Sequence, residues 1–360
     1  MASTTPKTIR KAVISSIVSS PTDVSNLSVV TAPSPPPPTR KQAQIRIFYS
    51  GFSGADVSMA HGRYPFQRKA PFTPGYCLVG AIVSLGSETP AFHPGDIVTA
   101  VTTYDSQAEV ANLPLNLLVK VHPALSHDDK LLQRVTALSL DWNTAYGLVN
   151  EGANVQAGQK VFIHGLSGAV GQGLVALCLL RGAEVYGTAS ERNHAALLAT
   201  PGVKGAFDYR NKNWIAAIKK MGGMDVVFDA LGFESWDESY QILSEKGLLV
   251  GYGGNQGALK GDEDNRSQVP AIGRLWARGM LSSVLGGRRT TFYYINPGSV
   301  AYQQGLSALM EMLAEGKIEV PIKAVWDLTT EGLREAHGSW GKSPGMGSLL
   351  IRVSRGDVSL

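Results

Sequence analysis

Between residues 160 and 251 the chain alternates short apolar runs with amphipathic stretches, and this alternation limits its fold more than any other feature. Lys160–His164, Glu184–Thr188, Gly205–Asp208, Asp225–Asp229 and Gly247–Gly251 read as strands. The stretches 169–182, 191–199, 212–221 and 235–244 between them carry apolar residues at helical spacing. Strands joined through helices form parallel sheet, and a parallel sheet needs cover on both faces. The pattern predicts an α/β chain containing a doubly wound parallel sheet of the nucleotide-binding kind.

The first strand-to-helix bend of this region is Gly165-Leu166-Ser167-Gly168-Ala169-Val170-Gly171. Glycines let a backbone turn tightly and approach a diphosphate without a Cβ in the way. The helix start behind them offers unbonded N–H groups and a partial positive charge. The spacing is G-x-x-G-x-x-G rather than G-x-G-x-x-G, so the strand–helix context carries the argument. Gly165, Ser167, Gly168, Ala169, Val170 and Gly171 are the expected diphosphate cradle. A turn that only packs strand against helix is the plainer alternative.

The end of the second strand selects the nucleotide. An acid there would hold the ribose 2′-hydroxyl of NADH and repel a 2′-phosphate. This chain has Ser190, followed by Glu191-Arg192. Ser190 can donate a hydrogen bond to a phosphate and Arg192 can pair with it. Tyr209 and Arg210 end the third strand on the same sheet edge, and Gly253 lies just past the fifth. NADPH is therefore the expected cofactor. Ser190 could also be a plain helix N-cap and Arg192 a solvated side chain; Glu191 argues the other way.

Outside this region, residues 8–30 read as a β-hairpin turning at Pro21-Thr22-Asp23. The first twenty residues, with Lys7, Arg10 and Lys11 and no acid, also have the look of a transit segment, but Lys11–Val18 reads first as a strand. Pro33–Pro38 reads as a stiff connector, with an SH3-type ligand as the other reading. Gln44–Tyr49, Leu78–Val83 and Asp96–Val101 are further strands, so the segment to about residue 125 is β-rich. Helical spacing runs from Leu131 to Leu148. After Gly254 come an aperiodic polar stretch to Gln268, a helix near 270–285, a strand at Thr291–Ile295 and a helix near 299–315. Strands near Ala324 and at Ser348–Val353 lack β-rich neighbours except the N-terminal region, so the chain is expected to return there.

At 360 residues two domains are expected, and 44% hydrophobic with 17% charged residues suits a soluble globular protein. A net charge of +4, scattered in short basic spots, is too thin for a nucleic-acid groove. No run of 18 apolar residues occurs, so no membrane span is expected. Two cysteines, Cys77 and Cys178, are too few for a disulfide framework or a structural zinc knot. They are expected to be buried, in a reducing, cytoplasmic compartment.

Taken in order, Gly54-Ala-Asp56, Gly62-Arg-Tyr64-Pro65, Pro71-Phe-Thr-Pro74-Gly75-Tyr-Cys-Leu-Val-Gly80, Gly95-Asp96-Ile-Val98, Asn143-Thr144-Ala145-Tyr146, the glycine bend, Val185–Ser190, Phe207–Arg210 and Asp225–Asp229 form a longer pattern. It resembles the zinc-independent quinone oxidoreductase and enoyl reductase-like branch of the medium-chain dehydrogenase/reductase superfamily. The resemblance implies a GroES-like β-rich catalytic domain at 1–134 and 291–360, a Rossmann NADPH-binding domain at 135–290, a cleft between them, and a homodimer. The zinc-dependent members carry Gly-His-Glu where this chain has Gly75-Tyr76-Cys77, and no cysteine cluster follows Val98. No metal site is therefore expected.

Without a Lewis acid, the accessible reaction is hydride delivery to an already polarised acceptor: an enone, an enoyl thioester or a quinone. Tyr64 matches the Gly-x-Tyr-Pro tyrosine that enoyl reductases of this superfamily place near substrate, which implies a proton donor or a packing residue. Thr144 matches the residue that approaches the nicotinamide, although a helical Thr bonded to its own helix would look the same. The family's Gly-Gly-Tyr-Ala-Glu stretch is Asp105-Ser-Gln-Ala-Glu109 here, so inherited substrate preferences do not transfer. Phe292-Tyr293-Tyr294 shapes either the pocket or a sheet-edge, dimer-interface strand. The competing readings are a zinc-type alcohol dehydrogenase, which lacks its ligands, and a non-catalytic NADPH-binding protein on the same scaffold.

Overall fold

The computed structural model describes residues 6–20, 22–87, 89–256, 259 and 269–354. The chain divides into two compact units: residues 1–143, 296–343 and 348–360, and residues 144–295 with 344–347.

The first unit is built on β-sheet. Strands β1 (Thr8–Ile14) and β2 (Leu27–Pro33) form an antiparallel pair. Pro21, assigned to the turn between them, lies outside the described residues. The larger sheet has seven strands. They are β3 (Gln42–Phe52), β4 (Cys77–Leu85), β5 (Ile97–Val101), β6 (Val110–Pro114), β7 (Val119–Lys120), β14 (Ile322–Asp327) and β15 (Ser348–Arg352). β3 is its axis. One edge of β3 takes β6 along Gln42–Arg46 and β15 along Tyr49–Phe52, while the other edge takes β4. β14 then pairs parallel with β15, so the last strands do return to the N-terminal sheet. The alternation along β3 buries Ala43, Ile45 and Ile47 with Leu78, Ile82, Val98, Leu113, Leu328 and Ile351 in one core.

The 33–38 segment behaves as a connector. Its Pro36 carbonyl accepts from Asn112 at 2.8 Å, which ties it along the sheet.

The second unit is the doubly wound sheet. Its strands are β8 (Lys160–His164), β9 (Glu184–Ala189), β10 (Val203–Asp208), β11 (Met224–Asp229), β12 (Leu243–Gly251) and β13 (Arg289–Phe292). All are parallel, in the order β10-β9-β8-β11-β12-β13. Counted from β8, that is 3-2-1-4-5-6, the dinucleotide-binding order, which reverses between β8 and β11. The helices Ala169–Leu180, Asn213–Lys220, Glu234–Gln241 and Val269–Leu285 lie among these strands in sequence. Phe162, Trp214, Ile218, Val227, Trp236 and Leu249 fill one side of the sheet.

Three elements differ from the sequence reading. The last strand of this sheet is Arg289–Phe292, not Thr291–Ile295, and it belongs to the second unit; hydrogen bonding to β12 fixes it there. The 191–199 helix is a single 3-10 turn, Glu191–Asn193, followed by His194–Leu198. The helix expected over 131–148 begins at Asp129, capped by the Asp128 side chain, and passes through wider π turns at Leu138–Trp142 and Leu148–Gly152. The aperiodic stretch 255–268 falls largely outside the described residues. No helix among the described residues is long and apolar enough to cross a membrane.

Candidate functional site

The glycine bend occupies the carboxyl end of β8. Gly165 has φ +80°, a left-handed conformation that glycine adopts without strain, and open space where a Cβ would project. Its N–H donates to the Thr188 carbonyl at 3.1 Å and to Thr188 Oγ1 at 3.2 Å; the Leu166 N–H also reaches the Thr188 carbonyl, at 2.9 Å. Gly168, extended at φ −73° and ψ 170°, is the N-cap of the Ala169–Leu180 helix. A Cβ at Gly171 would overlap the Gly165 carbonyl oxygen, so this glycine is what lets helix and bend close on each other. The first-turn amides of Ala169, Val170 and Gly171 have no carbonyl of their own helix to bond. Together the bend and the helix start have the geometry that could hold an anion. Ser167 lies within the bend, half-buried, its carbonyl accepting from the Gly347 N–H at 3.1 Å.

Ser190, Arg192, Tyr209 and Gly253 follow the carboxyl ends of β9, β10 and β12 in the same sheet, whereas Thr144 does not. Ser190 follows β9 as N-cap of the 3-10 turn, but its side chain makes no capping hydrogen bond, so the hydroxyl is not spent there. Arg192 is exposed on that turn. Tyr209 is exposed just past β10. Arg210 beside it is committed to Asp208, through hydrogen bonds of 2.7 to 3.0 Å. Gly253 follows β12, where a Cβ would press on the Ala230 carbonyl at 2.7 Å. Thr144 is buried in the Asn143–Gly147 helix. A cavity of about 290 Å³ lined by Lys219, Gly222, Gly223, Gln241, Leu243 and Arg288 opens instead at the amino ends of β11–β13, away from these groups. In parallel sheets of this type ligands bind beyond the carboxyl ends, so we assign it no role.

Tyr64 belongs to the first unit. Its hydroxyl lies 2.8 Å from that of Tyr76, with the rings edge to face at 6.0 Å. Sequence reasoning counted Tyr76 only as a missing zinc-type residue and did not foresee this pair. Nearby in sequence, Asp56 is buried. It closes a capping box with Ser53 and accepts from Gln107 Nε2 at 3.1 Å; burial pushes its carboxyl up to about 7. Cys77 is also buried, and burial holds its thiol well above the ordinary range. Cys178 is pushed by burial to about 12. Among the described residues no three of His, Cys, Asp and Glu gather into a metal-holding group.

A second polar group, also missed from sequence, lies behind the bend: His164, Thr188, Asp229, Ser235 and Ser239, all buried at the ends of β8, β9 and β11 or on the following helix.

Two family models match the chain: "Alcohol dehydrogenase GroES-like domain" over residues 39–115 and "Zinc-binding dehydrogenase" over 169–293. A zebrafish (Danio rerio) synaptic vesicle membrane protein VAT-1 homolog is 25% identical over 301 residues, 81% of this chain. The match takes in only 60% of that protein's own length. A probable quinone oxidoreductase of Schizosaccharomyces pombe is 26% identical over 318 residues, 88% of this chain and 90% of that one. The structure of Escherichia coli quinone oxidoreductase, solved in complex with NADPH, shares the fold at a TM-score of 0.77 and 19% identity, covering 95% of this chain and 99% of that one.

Proposed function

Because the chain belongs to the medium-chain dehydrogenase/reductase superfamily, on its quinone oxidoreductase-like side, we propose that it is an NADPH-dependent oxidoreductase acting without zinc on an activated C=C bond or a quinone. The observation that carries this reading is the glycine bend at the carboxyl end of β8, at the reversal of strand order.

A reduced nicotinamide dinucleotide, when bound, supplies the hydride. The chain's own residues do the rest. The amides of Ala169, Val170 and Gly171 and the open face of Gly165 hold the diphosphate, while the Gly168 N–H closes the bend on the Gly165 carbonyl at 2.9 Å. Ser190 and Arg192 hold a 2′-phosphate, and Tyr209 and Gly253 border the nucleotide along the same strand ends. Thr144 orients the nicotinamide amide, and the Tyr64 phenol gives its proton to the carbanion or enolate left after hydride arrives. The residues at the zinc-type positions support a metal-free reading, since Tyr76 puts a phenol where the zinc-dependent enzymes carry the histidine of Gly-His-Glu. We further propose a homodimer, supported by an apolar helix face and a sheet edge that lie exposed in the second unit.

The test is saturable NADPH binding by the purified protein, followed by NADPH oxidation with a panel of enones, enoyl thioesters and quinones. The expected outcome is binding with turnover on at least one acceptor class. Tyr64→Phe should lower kcat on that acceptor by about 10²-fold with NADPH affinity unchanged. Binding with no turnover on any acceptor would favour the non-catalytic alternative; no binding would end the proposal.

A further inference from the structure

We propose that Asp229, Ser239, His164 and Thr188 form a one-directional hydrogen-bond line that positions the Gly165 bend for the dinucleotide, which makes His164 and Thr188 positioning residues of that site. The inference rests on the nicotinamide-binding reading above.

The line starts at a buried carboxylate. Asp229 Oδ2 accepts from the hydroxyls of Ser235 and Ser239, each at 2.7 Å, and Oδ1 accepts from the Leu231 N–H at 2.7 Å. A serine hydroxyl has one proton. Ser239 gives its proton to Asp229, so toward His164 Nε2, 2.9 Å away, it can only accept. Nε2 must therefore carry the ring proton, which leaves Nδ1 of the neutral imidazole as an acceptor. Burial lowers the His164 pKa, consistent with a neutral ring. Thr188 Oγ1, 3.4 Å from Nδ1, donates to it, and its lone pairs face the Gly165 N–H at 3.2 Å. Every proton thus points one way, from the bend to the carboxylate. Reversing any link would set a buried donor against a donor. Phe162 and Trp214 fix the imidazole plane edgewise, at centroid distances of 5.2 and 5.5 Å.

The line runs from the end of β11 to the ends of β8 and β9, across the place where the strand order reverses. Asp229 also holds its own turn, its carbonyl accepting from the Tyr252 N–H at 3.1 Å and from Trp236 Nε1 at 3.3 Å. The bend it reaches has no side chain at Gly165 or Gly168 with which to anchor itself. Thr188 grips it from behind, and the line fixes which way the Thr188 hydroxyl points. A cradle held in its bound shape loses less freedom when the ligand arrives.

Ser235 supplies the control. It bonds the same Asp229 oxygen at the same distance as Ser239 but makes no hydrogen bond to His164, so it is not a link of the line. The experiment compares wild type, Thr188→Val, Thr188→Ser, Ser239→Ala and Ser235→Ala by NADPH Kd, kcat at saturating NADPH, and Tm. Thr188→Val and Ser239→Ala should raise the NADPH Kd about tenfold with kcat nearly unchanged. Thr188→Ser, which keeps the hydroxyl, should restore binding, and Ser235→Ala should bind like wild type. Equal weakening in Ser235→Ala and Ser239→Ala would reduce the line to a general stabiliser and overturn the proposal, as would wild-type binding by Thr188→Val. Imidazole ¹⁵N shifts of the wild-type protein test the same point without any variant: the Nε2–H tautomer is expected at neutral pH, and the Nδ1–H tautomer would sink the line. If wild type itself bound no nicotinamide dinucleotide, the parent reading would fall and this one with it.

Discussion

At the scale of single residues, the buried acid Asp56 makes a prediction about pH. Its carboxyl sits at about 7 in the folded chain against an ordinary 3.8, because burial disfavours the charge. Across that window the folded protein keeps a proton that the unfolded chain releases, so this residue's contribution to stability falls as pH rises from about 4 to 7 and is level above. His337 works in the opposite sense. Burial depresses it to about 3, so its contribution is lost as pH falls from about 6.5 toward 3. Asp56→Asn should therefore change the slope rather than only the height of the curve: the Tm difference between variant and wild type should move in the variant's favour between pH 4 and 7. A constant difference would show that Asp56 is charged in the folded state. The residues legible in the sequence were those whose backbone does the work. Gly165, Gly168 and Gly171 announce themselves because a bend needs glycine at those places. The side-chain partnerships were not legible. Asp56 meets Gln107, and His164 meets Ser239, only after folding brings together positions 51 and 75 residues apart.

At the scale of elements, the helix Val269–Leu285 presents two apolar faces. Ala271 and Leu275 are buried, whereas Trp276, Met280, Leu281, Val284 and Leu285 are exposed. The adjacent β13 is an edge strand with one row of backbone groups unpaired by the sheet. Large exposed apolar faces are uncommon on stable monomers and an edge strand offers backbone groups for pairing; a second copy of the chain laid on this side would cover both. Leu281→Arg should convert a dimer to a monomer in light scattering after size exclusion, with the far-UV circular dichroism of the folded chain kept, since the side chain contacts solvent in the isolated chain. A wild-type protein that ran as a monomer would remove the idea. Strands of the parallel sheet were readable because they are buried on both faces and nearly all apolar. β6 was not, since Val110-Ala-Asn-Leu-Pro114 carries an asparagine and a proline and owes its strand form to β3. From sequence, the strand ending the parallel sheet reads as starting two residues late and in the other unit, because Arg289-Thr-Thr-Phe292 has little apolar signal of its own.

At the scale of the whole molecule, the sequence of one compact unit interrupts that of another: the chain leaves the first after Asn143 and resumes it at Asn296. The repetition of strand and helix made the inner unit plain from sequence, and the unpartnered C-terminal strands pointed to the return. What the sequence could not convey is where in the outer sheet they land. β15 is inserted between β14 and β3, so residues 349–352 bond to residues 49–52. A chain lacking 348–352 should therefore lose the outer unit's cooperative unfolding transition while the inner unit's persists. Two intact transitions in calorimetry would contradict this.

That placement also sets an order of events at the ribosome. The inner sheet is complete once Phe292 has emerged. β3 was synthesised some three hundred residues before the strand that covers its second half, and until then Tyr49–Phe52 has one bare edge. A nascent chain of this design must shelter an unfinished sheet for most of its own translation, and its demand on chaperones should be concentrated there rather than at the nucleotide fold.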